Sequence, residues 1–143
     1  MSLFGGMEIS ASALTAQRLR MNVTAENLAN AQTTRGADGQ PYRRKEVILQ
    51  ETPGGFGAQL SAAMGGRAGG VQVAGIVQDA TPGKRMYDPG HPDADADGYV
   101  TMPNVDAVAE MVDLISASRA YEANVTAMQA AKQMFAKTLE LLR

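Results

Sequence analysis

The chain has 143 residues, a formal net charge of −2 and no cysteine. The length suits one domain, and the charge balance leaves no broad basic field for nucleic acid or anionic lipid. Disulfides and thiolate metal sites are excluded. Aromatic residues make up only 5% of the chain and Trp is absent, so Ala, Val, Leu and Met must supply the apolar bulk. That composition favours helix packing over a dense β-sandwich.

Met1 to Met7 has no charged n-region, no useful apolar h-region and no small-residue cleavage pattern, so a cleaved secretory signal is not expected. No run approaches the roughly 20 apolar residues that span a bilayer. An amphipathic helix is expected from Glu8 to Ala31. Met7, Leu14, Met21 and Leu28 recur every seven residues, and Ile9, Ala16 and Val23 form a second row at the same spacing. Two apolar rows on one helix call for more than one partner helix. The pattern stops at Thr33-Thr34-Arg35-Gly36.

The middle, from Ala37 to Asn104, changes character. Asp38-Gly39-Gln40-Pro41 reads as a turn leading into a strand within Tyr42 to Gln50. Arg43-Arg44-Lys45 is the one basic run, and within a strand it reads as a solvated face or an interface in preference to a phosphate site. Seven glycines between Pro53 and Gly70 make that stretch expensive to order, so a loop or flexible linker is expected there. Val71 to Val77 and Gly98 to Met102 are further short strands, separated by the turn formers of Tyr87-Asp88-Pro89-Gly90-His91-Pro92.

Two chemical motifs fall in this region. His91 is the only histidine, and with no second His or Cys to complete a catalytic or metal set it reads as a turn residue. Asp93-Ala94-Asp95-Ala96-Asp97-Gly98 matches the first half of a calcium loop. Position twelve would be Asn104 where a bidentate Glu is needed, and Pro103 stands where the exiting helix should be under way, so the segment reads as an acidic turn. No nucleophile–base pair or phosphate-binding glycine motif can be assembled, and no enzyme, cofactor or small-molecule substrate is expected.

The last element is the clearest. Pro103-Asn104 is a stop-and-cap signal, with Asn104 or Asp106 placed to accept the first free helical N–H groups. Met111, Leu114, Tyr121, Val125, Met128, Phe135, Leu139 and Leu142 follow a three-and-four spacing, widened near the start by Val108, Val112 and Ile115. No Gly or Pro interrupts Val105 to Arg143, so a helix of about 38 residues would run about 57 Å. The expected fold is mainly α with a small β-rich middle, the N- and C-terminal helices pairing as a coiled coil around an inserted β module. Residues 1–35 form the first helical segment, 36–104 the module with its Gly-rich loop at 54–70, and 105–143 the final helix. Asn27 and Asn30 in the first helix, and Arg119, Tyr121 and Asn124 in the last, are either exposed polar positions or interface groups that fix register.

The same residues carry a family likeness. Ser12-Ala13-Leu14-Thr15-Ala16-Gln17 followed by Asn27-Leu28-Ala29-Asn30-Ala31 resembles the N-terminal signature of flagellar axial proteins, the rod, hook and hook-associated components. Asp38 to Lys45, Gly98-Tyr99-Val100, Met102 to Asp106, Glu110-Met111-Val112 and Ser116 to Val125 narrow it to the short proximal-rod proteins of the bacterial flagellar basal body. The resemblance implies a structural subunit that stacks helically and passes torque to the hook. The implied partners are further copies of itself, other rod proteins, the rod–membrane-ring adaptor and the flagellar type III export apparatus. The implied location is the periplasmic rod, reached without a cleaved signal. The assembly interface would then use Leu14, Met21, Val23, Asn27, Leu28, Asn30, Arg119, Tyr121, Asn124, Val125 and Met128. The rival reading is a coiled-coil adaptor of defined oligomeric state.

Overall fold

A computed structural model describes residues 3–36, 38–52 and 69–141. Two long helices enclose four short strands in the order α1 (Leu3–Ala29), β1 (Lys45–Glu51), β2 (Val71–Gln78), β3 (Arg85–Tyr87), β4 (Tyr99–Thr101) and α2 (Ala107–Leu141). The expectation of two terminal helices around a small β-rich middle therefore holds. The expected loop over 54–70 lies mostly outside the described residues, as does Leu142.

The helix boundaries follow from local chemistry. After Ala29 the backbone tightens: the Asn30 N–H donates to both the Glu26 and Asn27 carbonyls, and the Thr33 hydroxyl donates to the Asn30 side-chain oxygen. Gly39, at φ 71°, closes the turn that follows, in a conformation that residues with a Cβ rarely adopt. At the other helix, Asp106 is the N-cap: its carboxylate accepts the Val108 and Ala109 N–H groups at 2.9 and 3.3 Å. Asn104, the other cap candidate, is used elsewhere. Its side-chain oxygen accepts the Arg44 N–H at 2.7 Å and its amide donates to the Asp79 carbonyl at 3.3 Å.

The strands form two separate pairs, β1 with β2 and β3 with β4. Bonds from the Thr52 N–H to the Gly70 carbonyl and from the Asp79 N–H to the Arg44 carbonyl bracket the first pair, whose strands thus run antiparallel. The second pair is antiparallel with Met86 opposite Val100 and Tyr87 opposite Tyr99. Strand β3 has no counterpart among the expected strands, because three residues are too few to show a two-residue period. Tyr87 had read as the first turn former, but it closes β3, and its ring meets Tyr99 edge-on at 5.3 Å.

The chain divides into two compact units. One comprises Met1–Leu19, Ile48–Gly75 and Ala117–Arg143. Its tightest points are small: Ala16 and Ala117 are buried, and the Ser12 hydroxyl accepts the Val71 N–H at 3.1 Å. A side chain at Gly70 would crowd both that hydroxyl and Thr52. The other unit comprises Arg20–Val47 and Ile76–Ser116. It buries Val23, Val100, Thr24, Asn27 and Glu110, of which three are polar.

Candidate assembly surface

The second unit is organised around a buried carboxylate. Glu110, in the first turn of α2, is 1% exposed. An ionised side chain at that depth is tolerated only if it is paired and hydrogen-bonded. Glu110 meets both conditions: Arg44 Nε donates to Oε1 at 2.5 Å, and the Asn27 amide donates to Oε2 at 3.0 Å. Asn27 in turn has every polar atom of its side chain in use. Its amide also reaches the Lys45 carbonyl at 2.8 Å, while its oxygen accepts the Lys45 N–H and the Tyr42 hydroxyl, both at 2.9 Å. One carboxamide therefore ties the end of α1, the approach to β1 and the start of α2.

The surrounding charges reinforce this junction. Arg44 also lies 3.5 Å from Asp113, and Asp113 accepts from Arg20 at 3.3 Å. The hydrogen bond to Glu110 raises the Arg44 guanidinium above its ordinary value, and the bond from Lys45 Nζ to Glu26 raises the Lys45 ammonium. Burial, with the Glu26 charge adding to it, pushes the Tyr42 phenol up. All three groups hold the same charge state across the physiological range.

The opposite face of the same helical turns has the reverse polarity. Val108, Met111, Val112 and Ile115 are spaced three and four apart, so they share one face of α2, and they are 67, 45, 61 and 55% exposed. Further along, Met134 and Leu139 are also exposed. Four large apolar side chains over two turns make a patch of a few hundred Å², the scale at which exposed apolar surface marks an interaction site.

The candidate interface residues fall into three groups. Val23 and Asn27 are buried within the chain. Leu14, Met21, Leu28, Asn30, Tyr121, Asn124, Val125 and Met128 are half-buried, and Arg119 is exposed. Asn30 and Asn124 each return their amide to the carbonyl four residues earlier, Glu26 and Ala120 respectively. Of the two readings left open for the helical asparagines, Asn27 is neither an exposed position nor an open interface group but the hub of the junction. Glu110, Tyr42 and Arg44 carry the junction with it, and no role for them follows from spacing. The available signal is indirect: an Asn among apolar rows needs several partners, and an acid in the first turn of α2 together with a basic run can supply them.

The chemical motifs resolve into local structure. The His91 Nδ1 accepts the Asp93 N–H at 3.1 Å. Asp93 accepts from the Thr34 hydroxyl at 2.8 Å and pairs with Arg35. Asp95 accepts the N–H groups of Tyr99 and Asp97 and pairs with Arg85 at 2.6 Å, and these donors, the Tyr99 amide foremost, hold its carboxyl below the usual range. Among the described residues no group of three His, Cys, Asp or Glu side chains converges on a metal position, and no helix is long and apolar enough to cross a membrane.

Comparison with known proteins places these features in a family context. A family described as "Flagella basal body rod protein" matches residues 7–37, and one described as "Flagellar basal body rod FlgEFG protein C-terminal" matches residues 96–141. The flagellar basal-body rod protein FlgC of Escherichia coli O6:H1 is 50% identical over 141 residues, spanning 99% of this chain and 98% of that protein. The Bacillus subtilis protein of the same name is 51% identical over 148 residues, covering 99% of each. The Borreliella burgdorferi one is 45% identical over 151 residues, covering 100% and 99%.

Proposed function

Since this chain belongs to the FlgC family of flagellar basal-body rod proteins, we propose that it builds the proximal rod by stacking helically with neighbouring subunits and passes torque toward the hook. As a member it is a structural subunit of the basal-body rod and not an enzyme. The observation that carries the assembly reading is the exposed apolar face of α2 from Val108 to Ile115, which water disfavours and a neighbouring helix would cover. In this reading the segments 1–35 and 105–143 pack as a coiled-coil layer, and 36–104 projects outward.

Beside that face, the half-buried Leu14, Met21, Leu28, Asn30, Tyr121, Asn124, Val125 and Met128, with the exposed Arg119, are further proposed contact positions. Val23 and Asn27 act from beneath them, by holding α1 in place. The proposed partners are other rod subunits, the rod–membrane-ring adaptor and the flagellar export apparatus, and the proposed location is the periplasmic part of the rod.

The test is complementation. A deletion strain should lose swimming and its rod in electron micrographs, and the restored gene should return both. Leu14→Asp or Val125→Asp should fail to restore them while the middle module stays folded. Intact rods in the deletion strain would overturn the reading and favour an adaptor of defined oligomeric state.

A further inference from the structure

The basic run has one member to spare. Arg44 is engaged by Glu110, Asp113 and Glu46, and Lys45 by Glu26. Arg43 is exposed, and no carboxylate among the described residues lies within ion-pair distance of it. It stands at a cleft. Residues 40–43 lead into β1 and residues 80–83 leave β2. The two segments are clasped at one end by the Asp79 N–H bond to the Arg44 carbonyl and by the Asn104 side chain that joins both. Beyond the clasp no backbone hydrogen bond joins them, and with Thr101, Met102 and Asn104 they enclose about 260 Å³. At Gly83 the wall is bare backbone, since a Cβ there would overlap the Met102 carbonyl. Of the described residues lining the cleft, Arg43 is the single charged one. A guanidinium with no internal acid, beside a space walled by Pro41, Tyr42, Pro82 and Met102, is matched by a slim segment carrying one carboxylate.

The chain itself offers such a segment. Among the exposed acids of this unit, Glu26, Glu46 and Asp95 are in ion pairs and Asp106 caps α2. That leaves Asp38 and Asp97. Asp38 lies two residues from Gln40, in the same turn that supplies the cleft wall. Asp97 lies on the turn before β4, between Ala96 and Gly98, and lines no part of the cleft. The Asp95 bonds to the Asp97 and Tyr99 N–H groups and the φ of 77° at Gly98 fix that turn with Asp97 exposed.

Resting on the rod-subunit reading, we infer that the Arg43 cleft receives the Asp97 turn of a second copy of this chain. Cleft and turn are different patches of one unit, so the contact is heterologous and repeats from copy to copy without being used up, as a helical assembly requires.

A charge exchange tests it in the full chain in cells. Arg43→Glu alone and Asp97→Arg alone should each cut swimming about tenfold or more by opposing like charges, and the two together should restore it. The chain has no cysteine, so Arg43→Cys combined with Asp97→Cys gives an independent readout: a short bis-maleimide, which spans the gap left by the lost Arg side chain, should join isolated basal-body subunits into covalent dimers and higher multiples, which neither single substitution gives. Normal swimming of either charge-reversed strain, no recovery in the exchanged pair, or monomer alone after bis-maleimide treatment would overturn the contact. The rod-subunit reading fails separately, only if the deletion strain itself swims and keeps its rod.

Discussion

The two faces of the first turns of α2 are opposites of what a globular helix shows. Inward, Glu110 is buried and fully engaged, with Asp113 half-buried beside it in the same ionic cluster. Outward, Val108, Met111, Val112 and Ile115 lie open. An isolated globular protein would turn the apolar stripe in and the charges out. Here the inward face has no need of apolar packing, because hydrogen bonds and ion pairs from Asn27 and Arg44 satisfy it. Under the proposed function the outward face is the one that meets neighbours. The contrast teaches a division of labour: a polar junction fixes this unit, and the proposed assembly contact takes the apolar surface.

Removing the junction should have the largest effect on folding. Glu110→Ala leaves the Arg44 guanidinium and an Asn27 amide hydrogen without their buried acceptor, and should destabilise the chain by about 3 kcal/mol, read as a lower melting temperature by circular dichroism. A smaller effect of opposite sign is expected at Gln17, whose buried side-chain oxygen finds no hydrogen-bond donor among the described residues. Gln17→Met, of similar shape, should raise stability by about 1 kcal/mol in the same measurement.

Acid should act through Asp95. Its pKa is lower in the folded chain than in the unfolded one, so its contribution is present above the unfolded value of about 3.9 and is lost as pH falls through the folded value. Asp95→Asn should therefore melt below the parent at neutral pH, with the gap narrowing as the pH falls below about 4. The smallest folding effect sharpens the comparison most. Ile115→Asp should change stability by no more than about 0.5 kcal/mol and yet abolish swimming. A large loss of stability there would mean that the outward face is part of the fold.

Much of this architecture is legible in the sequence, for physical reasons that also mark where legibility stops. The long helices declare themselves through sustained three-and-four spacing and the absence of Gly and Pro after Val105, a signal that survives without knowledge of any partner. Asp106 as a cap is equally local. The junction is not local: Asn27, Arg44 and Glu110 come from three distant parts of the chain, and no periodicity connects them. The outward stripe from Val108 to Ile115 is legible as apolar, yet spacing alone cannot say whether the same chain or another one covers it. Strand β3 escapes for a simpler reason, being three residues long.

The Asn27–Glu110 bond joins residues 83 positions apart, and this sets a clock as well as a shape. During synthesis the end of α1 exists long before its acceptor does. Closing so wide a loop is slow compared with forming either helix. Until α2 begins, the Asn27 amide lacks its Glu110 acceptor and the Arg44 guanidinium lacks both Glu110 and Asp113, so the junction has only its contacts among Asn27, Tyr42, Lys45 and Glu46. The last element made is the one that locks the first.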